Sequence, residues 1–142
     1  MIELEPRLVE AAATIARREG LRGIEAICGD AGRIANYVGA IPADVVVVCG
    51  VFGNIDDADV ARLIRVLPAM CAEHANVIWT RHRRLPDLTP RIRSWFAING
   101  FVERAFVSPG TEAFAVGRHE LVAAQPRTPI DEPLFRFVTR VS

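Results

Sequence analysis

The apolar positions of this chain alternate between helical and strand-like spacing, and that alternation predicts an α/β fold. Leu8, Val9, Ala12, Ile15 and Ala16 fall on one helical face, with Pro6 placed to open the helix and Gly20 to end it in a left-handed cap. Residues 24–28 read as a short strand stopped by Gly29 and Asp30, and a short helix follows around 33–38. Asp44-Val45-Val46-Val47-Val48-Cys49 is the clearest element: consecutive β-branched residues without alternation predict a strand covered on both faces. Val60, Leu63, Ile64, Leu67 and Cys71 then recur at helical spacing behind Asp56 and Asp57, and Pro68 is expected to bend or break the last turn. Residues 77–80 read as a second buried strand and 81–87 as a polar loop. Thr89-Pro90 opens a further helix with Ile92, Trp95 and Phe96 inward and Gly100 as its stop. The pattern then changes. Residues 101–107 and 113–121 are two strands whose short connection permits only an antiparallel hairpin.

Composition narrows the classes. A chain of 142 residues with 51% hydrophobic residues can build one real core. The tail from Ala123 carries Pro126, Pro129 and Pro133, so the expected division is an α/β domain over 1–122 and an extended tail over 123–142, with Leu134, Phe135 and Phe137 docking back. Seventeen basic residues balance seventeen acidic ones, without the basic excess of a nucleic-acid binder. All the basic residues are arginine, which a coding bias explains more simply than anion binding. Cys28, Cys49 and Cys71 show no metal-binding spacing, and reduced thiols suit a cytoplasmic protein. No apolar run reaches the ~18 residues of a membrane span, and no signal pattern opens the chain.

Four runs, in their order, carry a resemblance: Ile2-Glu3-Leu4-Glu5-Pro6, Cys28-Gly29-Asp30-Ala31, the stretch 43–54, and the stretch 77–84 before the last helix. With the terminal hairpin they resemble the class I S-adenosylmethionine-dependent methyltransferases from Glu3 to about Leu121. The resemblance implies a Rossmann-like, mostly parallel sheet with a C-terminal antiparallel hairpin. It further implies S-adenosylmethionine as cofactor. Glu3, followed by Leu4, matches the carboxylate that accepts both ribose hydroxyls; the alternative is an exposed residue at a frayed terminus. Asp30, between Gly29 and Ala31, matches the acceptor of the adenine amino group; the alternative is a helix N-cap. Cys49, Gly50 and Val51 match the strand end that borders the cofactor, or form a tight turn needing small residues. The family's first strand and its glycine-rich turn have no counterpart. The expected consequence is a gap in the middle of the sheet, between the strand ending at Glu3 and the strand ending at Cys49.

Methyl transfer is a displacement, so alignment of the reactants dominates and a base serves only an acceptor that must lose a proton. His82, expected just after a strand at the cofactor edge, is the candidate base, with a solvated surface histidine as its alternative. Arg81 is the candidate substrate contact, with a solvated loop as its alternative; Asn54 either orients substrate or caps the following helix. Cys49 reads as a packed thiol in preference to a nucleophile, and no metal site is expected. The leading expectation is therefore methyl transfer to a small-molecule acceptor by a truncated chain. The competing one is a non-catalytic remnant or partner-binding module. In that case a homodimer or a missing N-terminal segment fills the gap.

Overall fold

The computed structural model describes residues 1–109, 114–123 and 133–138. Its elements are β1 (Ile2–Glu3), α1 (Pro6–Arg18), β2 (Ile27–Cys28), a 3₁₀ turn (Ile34–Tyr37), β3 (Ala43–Val48), α2 (Asp57–Met70), β4 (Cys71–His82), α3 (Thr89–Ile98), β5 (Phe101–Val107) and β6 (Phe114–Leu121). They form the expected α/β architecture, and the sheet is in two pieces. β1 pairs β2 in parallel, and a separate sheet has the order β3-β4-β6-β5, with β3 and β4 parallel and β6 antiparallel to both its neighbours. Among the described residues no strand lies between β1 and β3. A groove of about 730 Å³ separates them, lined by Ile2 and Ile27 on one side and Val45, Val46 and Val47 on the other.

Several local expectations change. β2 is confined to Ile27–Cys28 and does not begin at Ile24. α2 runs through Pro68 to Met70; so close to the helix end, a proline leaves few later turns to disturb. Cys71 is accordingly the first residue of β4 and not the last of the helix. β4 is far longer than 77–80, because an irregularity in its pairing with β3, where His74 has φ 60°, hides its first half from any period-two pattern. Arg81 and His82 end this strand and do not belong to a loop.

The core lies on one face. α2 and α3 bury Val60, Leu63, Ile64, Leu67, Ile92 and Phe96 against Val77 and Trp79 of β4 and Leu121 of β6. Gly117 of β6 sits opposite Trp79, and a Cβ there would overlap the indole, so the close approach needs glycine. Among the described residues the other face is poorly covered at β3. Val45 is 55% and Val47 63% exposed, so β3 is not covered on both sides as its composition predicts. On α1, Leu8 and Ile15 are exposed too, and only Ala16 of its apolar stripe is fully buried. The β1–β2–α1 unit therefore contributes little to the core, and the groove keeps the outer edge of β3 open to solvent.

Candidate functional site

β1 and β2 run parallel, as do β3 and β4, and the carboxyl ends of β1, β2 and β3 meet in one cleft of about 420 Å³. Open α/β sheets place ligands at such ends. The cleft is lined by Ile2, Glu3 and Leu4, by Gly29, Asp30 and Ala31, by Cys49, Gly50 and Val51, and by Phe137. All eight residues that the sequence assigns to a cofactor site are thus brought together, from strands far apart in the chain.

Each segment is fixed by local bonds. The Glu5 carboxylate accepts from the Arg7 amide and caps α1, while Glu3 Oε1 accepts from the Glu5 amide at 3.0 Å and stays at the cleft. Glu3 belongs to a paired strand and is not a frayed end. Asp30 Oδ1 accepts from the Gly32 amide at 2.8 Å, bracing its own turn. It does not cap the 3₁₀ turn, whose N-cap residue is Arg33 and whose first turn receives no side-chain capping bond. Tyr37 donates to the Ala31 carbonyl at 2.8 Å, and burial, followed by the Asp30 charge, pushes its phenol pKa up. Gly50 adopts φ 71°, a left-handed value that favours glycine. Its amide donates to Thr80 Oγ1 at 3.2 Å, and its carbonyl accepts from Asn54 Nδ2 at 2.6 Å. Asn54 consequently braces the loop and does not cap α2; Asp56 does that, accepting from the Asp59 amide at 2.7 Å.

The remaining candidates stand apart from the cleft. His82 ends β4 with its ring beside Gly53 and is not among the lining residues. Arg81 is only 8% exposed; its guanidinium donates to the Phe52 carbonyl and lies 3.7 Å from Asp57. Burial lowers its pKa, and the charges of Asp57 and Asp87 work against that shift. Its position is that of a brace beneath the loop after β3. Sequence reasoning overlooked Ile2 and Phe137 as cleft residues. The Phe135-Arg136-Phe137 run in a proline-rich tail was the available signal.

No protein-family model and no curated protein sequence matches this chain. Solved structures do. The N-methyltransferase NodS from Bradyrhizobium japonicum WM9 is similar with a TM-score of 0.64 at 16% identity, over 86% of this chain and 72% of NodS. Aeropyrum pernix fibrillarin, solved with natively bound S-adenosyl-L-methionine, gives 0.61 at 18% identity, over 83% of this chain and 53% of fibrillarin. The cyclase SpnF gives 0.65 at 12% identity, over 85% of this chain and 64% of SpnF, so the chain spans less than two thirds of this protein and of fibrillarin. The chain has the fold of the class I S-adenosylmethionine-dependent methyltransferases, with the break between β1 and β3 where that fold's first strand is expected. Identities this low establish the fold, and a cyclase among the neighbours illustrates that the fold alone does not fix the reaction.

Proposed function

We propose that this cleft holds S-adenosylmethionine by its adenosine half and that the chain carries out methyl transfer to a small-molecule acceptor in the cytoplasm. The observation that carries this reading is the meeting of Glu3, Asp30 and Val51, each at the end of a different strand, in one cleft of a methyltransferase fold. Glu3 supplies the acceptor for the ribose diol, Asp30 the acceptor for the adenine amino group, and Leu4, Ala31 and Val51 the apolar walls. His82, at the same sheet edge, is the base we assign for an acceptor that must lose a proton, and Arg81 and Asn54 hold the loop on which the acceptor rests. NodS is an N-methyltransferase and fibrillarin binds the cofactor, which supports the donor more than any particular acceptor.

Titration calorimetry with S-adenosylhomocysteine tests the reading. A hydrogen bond to a charged acceptor contributes about 1.5–3 kcal/mol, so Glu3→Gln is expected to weaken binding by roughly 10- to 100-fold. Absence of binding to the wild-type chain at millimolar ligand would sink the proposal.

One observation favours a second reading, a partner-binding module. The groove of about 730 Å³ is bordered by edges of β1 and β3 that pair with no other strand among the described residues, and Val45 and Val47 in its lining are exposed, the setting for strand addition. On this reading sedimentation returns a dimer that ignores the cofactor. A monomer that binds it supports the enzyme.

A further inference from the structure

The segment after Pro133 does more than dock. Leu134 and Phe135 are buried in the core, and the Leu134 amide donates to the Gly32 carbonyl at 2.7 Å. A Cβ at Gly32 would overlap the Phe135 carbonyl oxygen, so the segment lies directly on the turn that carries Asp30. Two main-chain bonds then flank Phe137: the Arg136 amide donates to Asp59 Oδ2 at 2.7 Å, and the Val138 amide donates to the Asn54 carbonyl at 2.8 Å. Asp59 is buried on α2 and ion-paired with Arg62, whose Nη1 reaches the Pro133 carbonyl at 3.2 Å. Phe137 is therefore gripped through its backbone, while its ring packs edge-on against Phe135 with centroids 5.3 Å apart. Phe137 is still 49% exposed, and it lines the cleft with Asp30, Ala31 and Val51.

We propose that Phe137 is a ligand-binding residue, the aromatic wall on which the purine ring stacks, delivered to the cleft by this C-terminal strap. The inference rests on the cofactor reading above and adds to it the residue that stacks the purine. Among the described residues, the only charged side chains lining the cleft are the carboxylates of Glu3 and Asp30, and no cation lines it. Such a site takes a flat heteroaromatic group bearing donors and a diol, and it repels a phosphate. The ligand class is a purine nucleoside or its thioether and sulfonium derivatives, not a nucleotide. A half-exposed phenyl ring held at this rim has no core to fill, which separates its role from that of Phe135.

Calorimetry with S-adenosylhomocysteine, adenosine and AMP on the wild-type chain, Phe137→Ala, Phe137→Leu and Phe137→Tyr tests it. Stacking of a base on an aromatic side chain is sensitive to alanine substitution, so Phe137→Ala is expected to weaken S-adenosylhomocysteine by about 10- to 100-fold. Phe137→Tyr should stay within about two-fold of wild type and Phe137→Leu fall between. Adenosine should bind more tightly than AMP. If Phe137→Ala fails to fold, the leucine variant, similar in bulk without a π face, reads out the same loss of stacking. Wild-type binding with unchanged affinity in both variants overturns the stacking wall and leaves the cofactor reading standing. No binding to the wild-type chain overturns both, and AMP binding as tightly as adenosine overturns the nucleoside class.

Discussion

Trp79→Ala is expected to cost about 3–5 kcal/mol of folding free energy, a large share of the roughly 5–15 kcal/mol that holds a domain together. Trp79 is fully buried in the second half of β4 and stacks within 10° of parallel on Phe96 at 6.2 Å, with Phe52 at 5.9 Å and Phe106 at 6.2 Å. Its indole N–H donates to His119 Nδ1 at 3.1 Å, so removal of the ring also strips a buried nitrogen of its donor. Among the described residues no helix covers the opposite face of the sheet, so no second core compensates. Urea titration followed by circular dichroism should show the midpoint fall by about 2 M, since each molar of urea offsets roughly 1–3 kcal/mol, or an unfolded chain at zero urea. A loss below about 1 kcal/mol would mean that the indole is not the centre of the packing.

The second large effect is a fall of stability in mild acid. His119 is 1% exposed, and desolvation drives its pKa from 6.5 down to about 4, with the Glu103 charge opposing that shift and the Arg93 charge assisting it. Because Trp79 donates to Nδ1, the imidazole proton sits on Nε2, which faces Glu103 at 3.6 Å. Arg93 holds the Glu103 carboxylate by two bonds, 2.6 and 2.8 Å long, and lowers its pKa. Well above pH 6.5 the histidine is neutral folded or unfolded and contributes no pH dependence. Below it the unfolded chain takes up the proton first, so stability drops as pH falls toward about 4, by about 3 kcal/mol in the limit. Glu103 acts in the same direction at the acid end, since its folded carboxylate releases its proton more readily than the unfolded one. Urea midpoints at about pH 7.5, 6 and 4.5 should fall in wild type and fall distinctly less in His119→Gln; parallel curves would refute the assignment.

Much of the fold was legible because strong local signals agreed. Asp44 through Cys49 could only be a strand, Pro6 and Gly20 marked α1, with Gly20 at φ 68°, and the five-residue link ruled out anything but a hairpin. The meeting of these segments in one cleft was legible for the same reason: strand ends are where the apolar runs stop. What failed was coverage. Consecutive valines predict a strand with both faces buried only if both layers exist, and here one layer has no occupant among the described residues. Long-range bonds were also invisible. Nothing near Arg81 in sequence announces that Phe52 will claim its guanidinium, and nothing near Asp59 announces the Arg136 amide. The tail residues 124–132 and 139–142, and the link 110–113, lie outside the described residues.

The cleft takes Glu3 and Asp30 from the small sheet and Cys49 to Val51 from the large one, so it straddles the break. A molecule that grips both sides acts as a keystone: it sets how far apart the two pieces stand. Reciprocally, anything wedged between β1 and β3 alters the grip on that molecule, since coupled binding equilibria work in both directions. Occupancy of the one and spacing of the other are thermodynamically linked.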